Sequence, residues 1–403
     1  MKITVAVFFG CSSVEHEVSI ISGVQAMRAL DREKYDVLPV YVAKNGDMLS
    51  GETLFDIASY KDIPALYKSC RQVWFCREGD RVFMKSQATG LFKKPEAVAV
   101  DIALPVVHGT NCEDGSLAGF FEVLGLPYAG CDVASSAVGM DKNIFKRTIA
   151  ADGLPVLPAA TITSRMWLEE REDVLACVRE GVGYPAIIKP VNLGSSVGIS
   201  KVSDASGLEE AMELAFSFTD TVLAERAIVH LREINCSVLG DREECAASPL
   251  EEPVMHDEIL SYKDKYLSGG KSVKGGQTGP SKGMSSLQRK LPADLSSEKT
   301  AEIQELAVRT FRSLGCSGVV RIDFLLDTSD DDRVYVNEIN TIPGSLAFYL
   351  WEAGGLPYRE LLDRMLELGF KRERRRKNLM FTIDTNLLES AGDLGGVKGA
   401  KGR

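Results

Sequence analysis

Two short runs toward the C-terminal end carry the residues best suited to chemistry. They read Val319-Val320-Arg321-Ile322-Asp323-Phe324-Leu325-Leu326 and Val334-Tyr335-Val336-Asn337-Glu338-Ile339-Asn340. The polar segment between them, 327–333, is turn-like in composition, so the pair reads as a hairpin. Folding it symmetrically sets Asp323 opposite Glu338 and Arg321 opposite Asn340. Side chains two apart share a sheet face, so these residues point the same way. Carboxylates, an amide oxygen and a guanidinium on one face suit a hard cation and the anion it holds. Mg2+ takes a few carboxylate oxygens plus substrate phosphates, and Arg grips oxyanions through two donors. A solvated outer face with a cross-strand ion pair is the plainer alternative, and a one-residue register slip would separate the set.

A second candidate is the loop Asn192-Leu193-Gly194-Ser195-Ser196-Val197-Gly198, which follows a strand ending near Lys189. Glycines let backbone approach a phosphate, and serines supply neutral donors. An ordinary tight turn fits this loop equally well taken alone; Lys189 and the upstream Lys142 favour a phosphate site. Neither this loop nor Gly269-Gly270-Lys271-Ser272 is a standard P-loop. Glu225 and Glu233 follow a strand, where a carboxylate accepts from an adenine amino group or ribose hydroxyls, or is merely exposed.

These residues need an α/β scaffold. The opening reads strand (3–10), glycine-serine loop and helix, with Ser19 as N-cap and Ile20, Val24, Met27 and Leu30 as the apolar stripe. Residues 44–95 read as peripheral, with hairpin content near 73–83. Ala97–Val107 reads as one buried parallel strand. A strand at 185–190, a helix at 207–216 and a strand at 222–225 build a second unit. A long amphipathic helix carries Ile303, Leu306, Phe311 and Leu314 and is stopped by Gly315. Residues 267–283, rich in glycine and lysine, read as a mobile surface loop. The glycine- and lysine-rich tail reads as disordered.

A chain of 403 residues suits two or three domains. A net charge of −10 argues against a general nucleic-acid or membrane-surface binder, though not against an anionic substrate held in a local cationic pocket. Nine scattered cysteines without a Cys-x-x-Cys pair fit reduced thiols in a cytoplasmic protein. No apolar run is long enough to span a bilayer.

The chain resembles the D-alanine–D-alanine ligase family of the ATP-grasp superfamily. The resemblance is carried by an ordered set of segments: Glu15-His16-Glu17-Val18-Ser19; His108-Gly109 with Glu113-Asp114-Gly115; Met140-Asp141-Lys142; Ile188-Lys189-Pro190 with Gly194–Gly198; Lys265-Tyr266; Arg321-Ile322-Asp323; and Asn337-Glu338-Ile339-Asn340-Thr341-Ile342-Pro343-Gly344. It implies an ATP-grasp fold, α/β and α+β, behind a Rossmann-like N-terminal domain. The expected division is 1–138, 139–235, 236–385 and a tail at 386–403.

The resemblance also implies roles. Asp323, Glu338 and Asn340 hold two Mg2+ ions, or Mn2+. Lys142, Lys189 and Ser196 contact ATP phosphates, and Glu225 and Glu233 face adenine and ribose. Glu15, Ser195 and Tyr266 act as a set on the first D-alanine, with His108 near its carboxylate. Arg321 and the Gly344 amide stabilise an oxyanion. Lys265 and Tyr266 lie on a closing loop. Implied partners are D-alanine and ATP, with no nucleic acid or membrane, and a homodimer is suggested. The sequence departs from the family where a serine often binds the second substrate's carboxylate: here stands Tyr349, and either its hydroxyl donates from farther out or Ser345 replaces it. Cys11 also replaces a common glycine. Tyr266 favours dipeptide formation, while D-serine or D-lactate as acceptor, or a non-catalytic nucleotide binder, are the alternatives.

Overall fold

The computed structural model describes residues 2–87, 96–194, 197–253, 289–383 and 385. Ser195, Ser196, Lys265, Tyr266, the 267–283 segment and the tail at 386–403 lie outside the described residues.

The first sheet runs β1 (Ile3–Gly10), β2 (Tyr35–Val42), β3 (Met48–Ser50), β4 (Arg71–Glu78), β5 (Arg81–Ser86), β6 (Ala97–Val100) and β7 (Ile102–Pro105), in the order β6-β5-β4-β3-β2-β1-β7. β1 is parallel to both β2 and β7. β3 to β6 add antiparallel strands, so the 44–95 region extends the sheet itself. The single strand expected over 97–107 is two strands on opposite sheet edges. The break is at Asp101, whose carboxylate accepts from the Thr4 amide at 2.8 Å while its own amide donates to Thr4 O at 3.0 Å.

The first helix, His16–Ala29, buries Ile20, Val24 and Met27 as the spacing requires. Its N-cap is Glu15, not Ser19. Ser19 lies one turn inside, fully buried, where its hydroxyl accepts from the Gly10 amide (2.8 Å) and donates to Val106 O (2.7 Å). The hydroxyl thus ties helix to sheet, a tertiary use that local capping rules do not foresee.

The second sheet is antiparallel: β8 (Ala159–Thr163), β9 (Ala186–Pro190), β10 (Ser200–Val202) and β11 (Thr221–Arg226), in the order β10-β9-β11-β8. The third has the order β13-β12-β16-β17, with β12 (Leu231–Gly240), β13 (Cys245–Ala247), β16 (Gly318–Asp327) and β17 (Arg333–Asn340). Beside it lies a two-stranded ribbon, β14 (Glu252–Pro253) with β15 (Arg289–Lys290). The helix Ser297–Leu314 covers the third sheet. Ser296 caps it by accepting from the Lys299 amide, and Gly315 at φ +68° ends it.

These contacts revise the expected division. The boundary at 235/236 falls inside β12, which pairs with β16 along its whole length. Phe145, Ile149 and Leu154, placed by sequence in the central unit, pack into the third core with Phe311, Ile322 and Phe324. The last helix, Tyr358–Arg376, returns to the first sheet and buries Leu361, Leu362 and Leu366 with Val5, Val7 and Leu104. Among the described residues, no helix is long and apolar enough to cross a membrane.

Candidate active site

A cleft where the three units meet is lined by Glu15, His108, Lys142, Glu233, Arg321, Asp323, Glu338, Asn340, Gly344 and Tyr349. Arg321 pairs with Asn340 and Asp323 with Glu338 across β16 and β17, the register the hairpin argument requires. Nearer the turn the pairing slips by one, because a bulge sets Phe324 opposite Val336. The bulge leaves Asn337 beside Glu338 on the accessible side, and Lys189 Nζ reaches Asn337 Oδ1 at 3.4 Å. The Arg321 fork holds Asp323 through Nε (2.7 Å) and Nη2 (2.8 Å), and Asn340 Nδ2 adds a donor at 3.2 Å. Burial works against the Arg321 charge, but Asp323 outweighs it and raises that already high pKa further.

The cationic wall comes from the helix Lys142–Ala151 and from β9. Lys142 Nζ donates to Leu193 O (2.7 Å), at the start of the glycine-serine loop, and lies 3.7 Å from Glu338. Four residues on, the same helix face presents Lys146. Glu225, expected to face adenine or ribose, is instead 2% exposed and bonded to two ammoniums. Lys189 donates to it at 2.6 Å, and Lys146 closes on the other oxygen. Burial alone would raise the Glu225 pKa; the two lysines overcome it and hold the carboxyl below its ordinary value. Burial pushes Lys146 down, against the pull of Glu225.

The opposite wall joins the first domain to the segment after β17. His108 is 3% exposed, with Nδ1 2.9 Å from Ile342 O and Nε2 2.9 Å from Ser22 Oγ. Burial lowers its pKa, so the ring is neutral. A carbonyl only accepts, so Nδ1 carries the proton and Nε2 accepts from Ser22. Ser22 Oγ in turn accepts from the Ser345 amide at 3.0 Å. Glu113 makes a parallel strut, accepting from the amides of Gly109 (3.0 Å) and Ile342 (2.9 Å). Burial, and next the nearby Glu15 charge, push its pKa up to about 7. The Glu15 carboxylate lies between two glycines. A Cβ on either Gly109 or Gly194 would stand 3.1 Å from Glu15 Oε2.

Ser345 does not line the cleft. Its hydroxyl donates to Gln25 Oε1 at 2.7 Å, and it opens a left-handed turn with Leu346 and Ala347 (φ +50°, +56° and +49°). Tyr349 does line the cleft, and its hydroxyl donates to Glu251 at 2.8 Å. Sequence reasoning missed Lys146, Asn235, Glu251 and Arg289, and gave Glu113 no role of its own. Only Lys146 left a signal, its i, i+4 spacing from Lys142. The others gain their positions from strand pairing.

The two family descriptions "D-ala D-ala ligase N-terminus" and "D-ala D-ala ligase C-terminus" match residues 4–131 and 148–367. This chain belongs to the D-alanine–D-alanine ligase family. It is 36% identical to the D-alanine–D-alanine ligase of Thermosipho melanesiensis over 388 residues, 96% of this chain and 98% of that one. Among solved structures, the D-alanine–D-alanine ligase of Coxiella burnetii superposes with a TM-score of 0.76 at 30% identity, covering 93% of this chain and 96% of that one. The VanG D-Ala:D-Ser ligase of Enterococcus faecalis superposes at 0.73 and 28% identity, covering 92% and 100%. The ATP-grasp fold expected for such a ligase is the fold found. Among the described residues no group of three or more His, Cys, Asp or Glu is gathered as a metal cage. The ligase set of two carboxylates and one amide suits Mg2+ instead, which keeps much of its shell for phosphate and water.

Proposed function

We propose that this ligase joins two D-alanines into D-alanyl-D-alanine at the expense of ATP, for peptidoglycan precursor synthesis. The observation that carries the reading is the single face bearing Arg321, Asp323, Glu338 and Asn340, set against the buried lysines Lys142 and Lys189. A carboxylate is a poor acyl donor. Its oxygen attacks the γ-phosphorus and ADP leaves; the second amine then attacks the acyl carbon, phosphate departs and a proton is shed. Such a path needs positioning and charge neutralisation more than a protein nucleophile.

In this reading Asp323, Glu338 and Asn340 would hold two Mg2+ ions, or Mn2+, which would supply positive charge against the phosphates of ATP. Lys142 and Lys189 draw the phosphates in, and Glu225 keeps Lys189 aimed. Ser196 and Glu233 contribute to the nucleotide side. Glu15, with Ser195 and Tyr266, takes the ammonium of the first D-alanine, and neutral His108 stands by its carboxylate. Arg321 exchanges Asp323 for the developing oxyanion when the carboxylate is otherwise engaged, and Gly344 contributes its amide. Lys265 is assigned to substrate binding in the same reading. A cytoplasmic location and a homodimer belong to the same reading.

ADP release with ATP and Mg2+, measured with D-alanine and then with a panel of second substrates, tests it. D-alanyl-D-alanine as the main product supports the reading. Tyr349 favours a second reading that keeps the chemistry and changes the acceptor, so a mixed dipeptide or depsipeptide would transfer the assignment to D-serine or D-lactate. No amino-acid-dependent ADP release from a protein that binds ATP would leave a non-catalytic nucleotide binder.

A further inference from the structure

The wall of the cleft around Tyr349 also carries Asn235, Glu251 and Arg289. Glu338, Asp323, Asn235 and Glu251 lie in one row across the sheet. Glu338 pairs with Asp323, Asp323 with Asn235, and Asn235 bridges to Glu251 through both backbone bonds, at 2.8 and 3.0 Å. Strands are spaced about 4.8 Å apart, so Glu251 stands roughly 10 Å from Asp323 along this row. That reach accommodates an acceptor whose amine points at the acyl carbon and whose carboxylate points away from it.

At the far end three side chains close a triangle. Tyr349 donates to Glu251 Oε2 at 2.8 Å, and Arg289 Nη1 lies 2.8 Å from Glu251 Oε1. The Arg289 guanidinium sits 4.2 Å above the Tyr349 ring centroid. All three line the cleft. A phenol has one proton, and here it goes to Glu251, so Tyr349 does not replace a serine as donor. A guanidinium carries five N–H donors, more than one carboxylate oxygen uses. Stacking and the ion pair hold its planar fork in place, the condition for bidentate carboxylate binding.

We infer that Arg289, held by Glu251 and Tyr349, binds the carboxylate of the acceptor amino acid. The inference rests on the ligase reading above and makes acceptor choice depend on charge. The test uses the full chain with ATP and Mg2+, comparing D-alanine and D-alaninamide as acceptors in the unaltered protein, Arg289→Lys and Arg289→Ala. A lost charged hydrogen bond corresponds to roughly 10- to 100-fold. Arg289→Ala is therefore expected to raise the acceptor KM by that factor, leave the KM values for ATP and the first D-alanine in place, and narrow the preference for D-alanine over D-alaninamide. Arg289→Lys is expected to recover part of that preference. An unchanged acceptor KM in Arg289→Ala, or KM values for all three substrates rising together as for a purely structural strut, would overturn the inference. So would an unaltered protein that uses D-alaninamide as well as D-alanine, a result that needs no variant to fold. No ADP release at all from the unaltered protein would remove the ligase reading first, and the inference with it.

Discussion

Arg321 and Asp323, two residues apart on β16, are joined by two hydrogen bonds of 2.7 and 2.8 Å. The pair keeps a half-buried carboxylate neutralised on the face proposed for the cation, and it couples two proposed functions. If Asp323 holds a cation as proposed, the Arg321 guanidinium would be left with donors for the developing oxyanion. Asp323→Asn is expected to weaken Mg2+ dependence and turnover together, by at least about 100-fold in turnover. Mg2+ titration of ADP release, alongside thermal melting to verify folding, checks this; retained Mg2+ affinity would remove Asp323 from the metal set.

Glu338→Gln keeps the shape of the side chain and removes its charge. Turnover is expected to fall by roughly 100- to 1000-fold with the melting temperature little changed. Steady-state kinetics on the folded variant decide it, and near-normal turnover would move the metal elsewhere.

Lys146 and Lys189 share the buried carboxylate of Glu225. Lys146→Met leaves a fully buried charge with one partner fewer. Breaking such a network costs about 3–5 kcal/mol, so denaturant unfolding is expected to show a loss of that order. A loss below about 1 kcal/mol would mean that Lys189 alone satisfies Glu225.

Glu113 is buried with its pKa pushed up to about 7, above its unfolded value of 4.5. A raised carboxyl favours the protonated form in the folded protein. Its stabilising contribution is complete below about pH 4.5 and is lost as pH rises through about 7. Unfolding free energy measured from pH 5 to 8 should therefore carry a downward component on the order of 3 kcal/mol that is missing in Glu113→Gln. That variant is also expected to be less stable near pH 5, because its amide nitrogen faces a backbone donor. A pH profile identical in both proteins would refute the assignment.

Ser22 links neutral His108 to the Ser345 amide. Ser22→Ala leaves a buried acceptor and a buried donor unmet, at a cost of about 1–3 kcal/mol. The first-substrate KM is expected to rise more than the KM for ATP, because His108 is proposed to serve the first substrate. Equal changes in both would make the relay a packing feature only.

The hairpin was legible because its pattern alternates cleanly and its turn is polar. Arg321, Asp323, Glu338 and Asn340 fall on one face by period alone, whereas the bulge at Asn337 has no mark in the run. The helix His16–Ala29 was legible in its apolar stripe and misread at its start, since Ser19 bonds to β1 and to Val106 rather than to its own first turn. The run 97–107 was uniformly apolar, and such a run does not reveal that Asp101 breaks it to bond Thr4.

What the sequence by itself determined is local and periodic: which residues face together on a strand, where helices stop, and the ordered segments that mark the ligase family. Tertiary structure decided the partners. Glu225 lies buried between Lys146 and Lys189, and Tyr349 turned its proton to Glu251. Arg289 reached the cleft through its strand pairing with Pro253. The physical reason is that a side chain's period is set by its own backbone, whereas its hydrogen-bond partner is set by pairings between strands that lie tens to hundreds of residues apart.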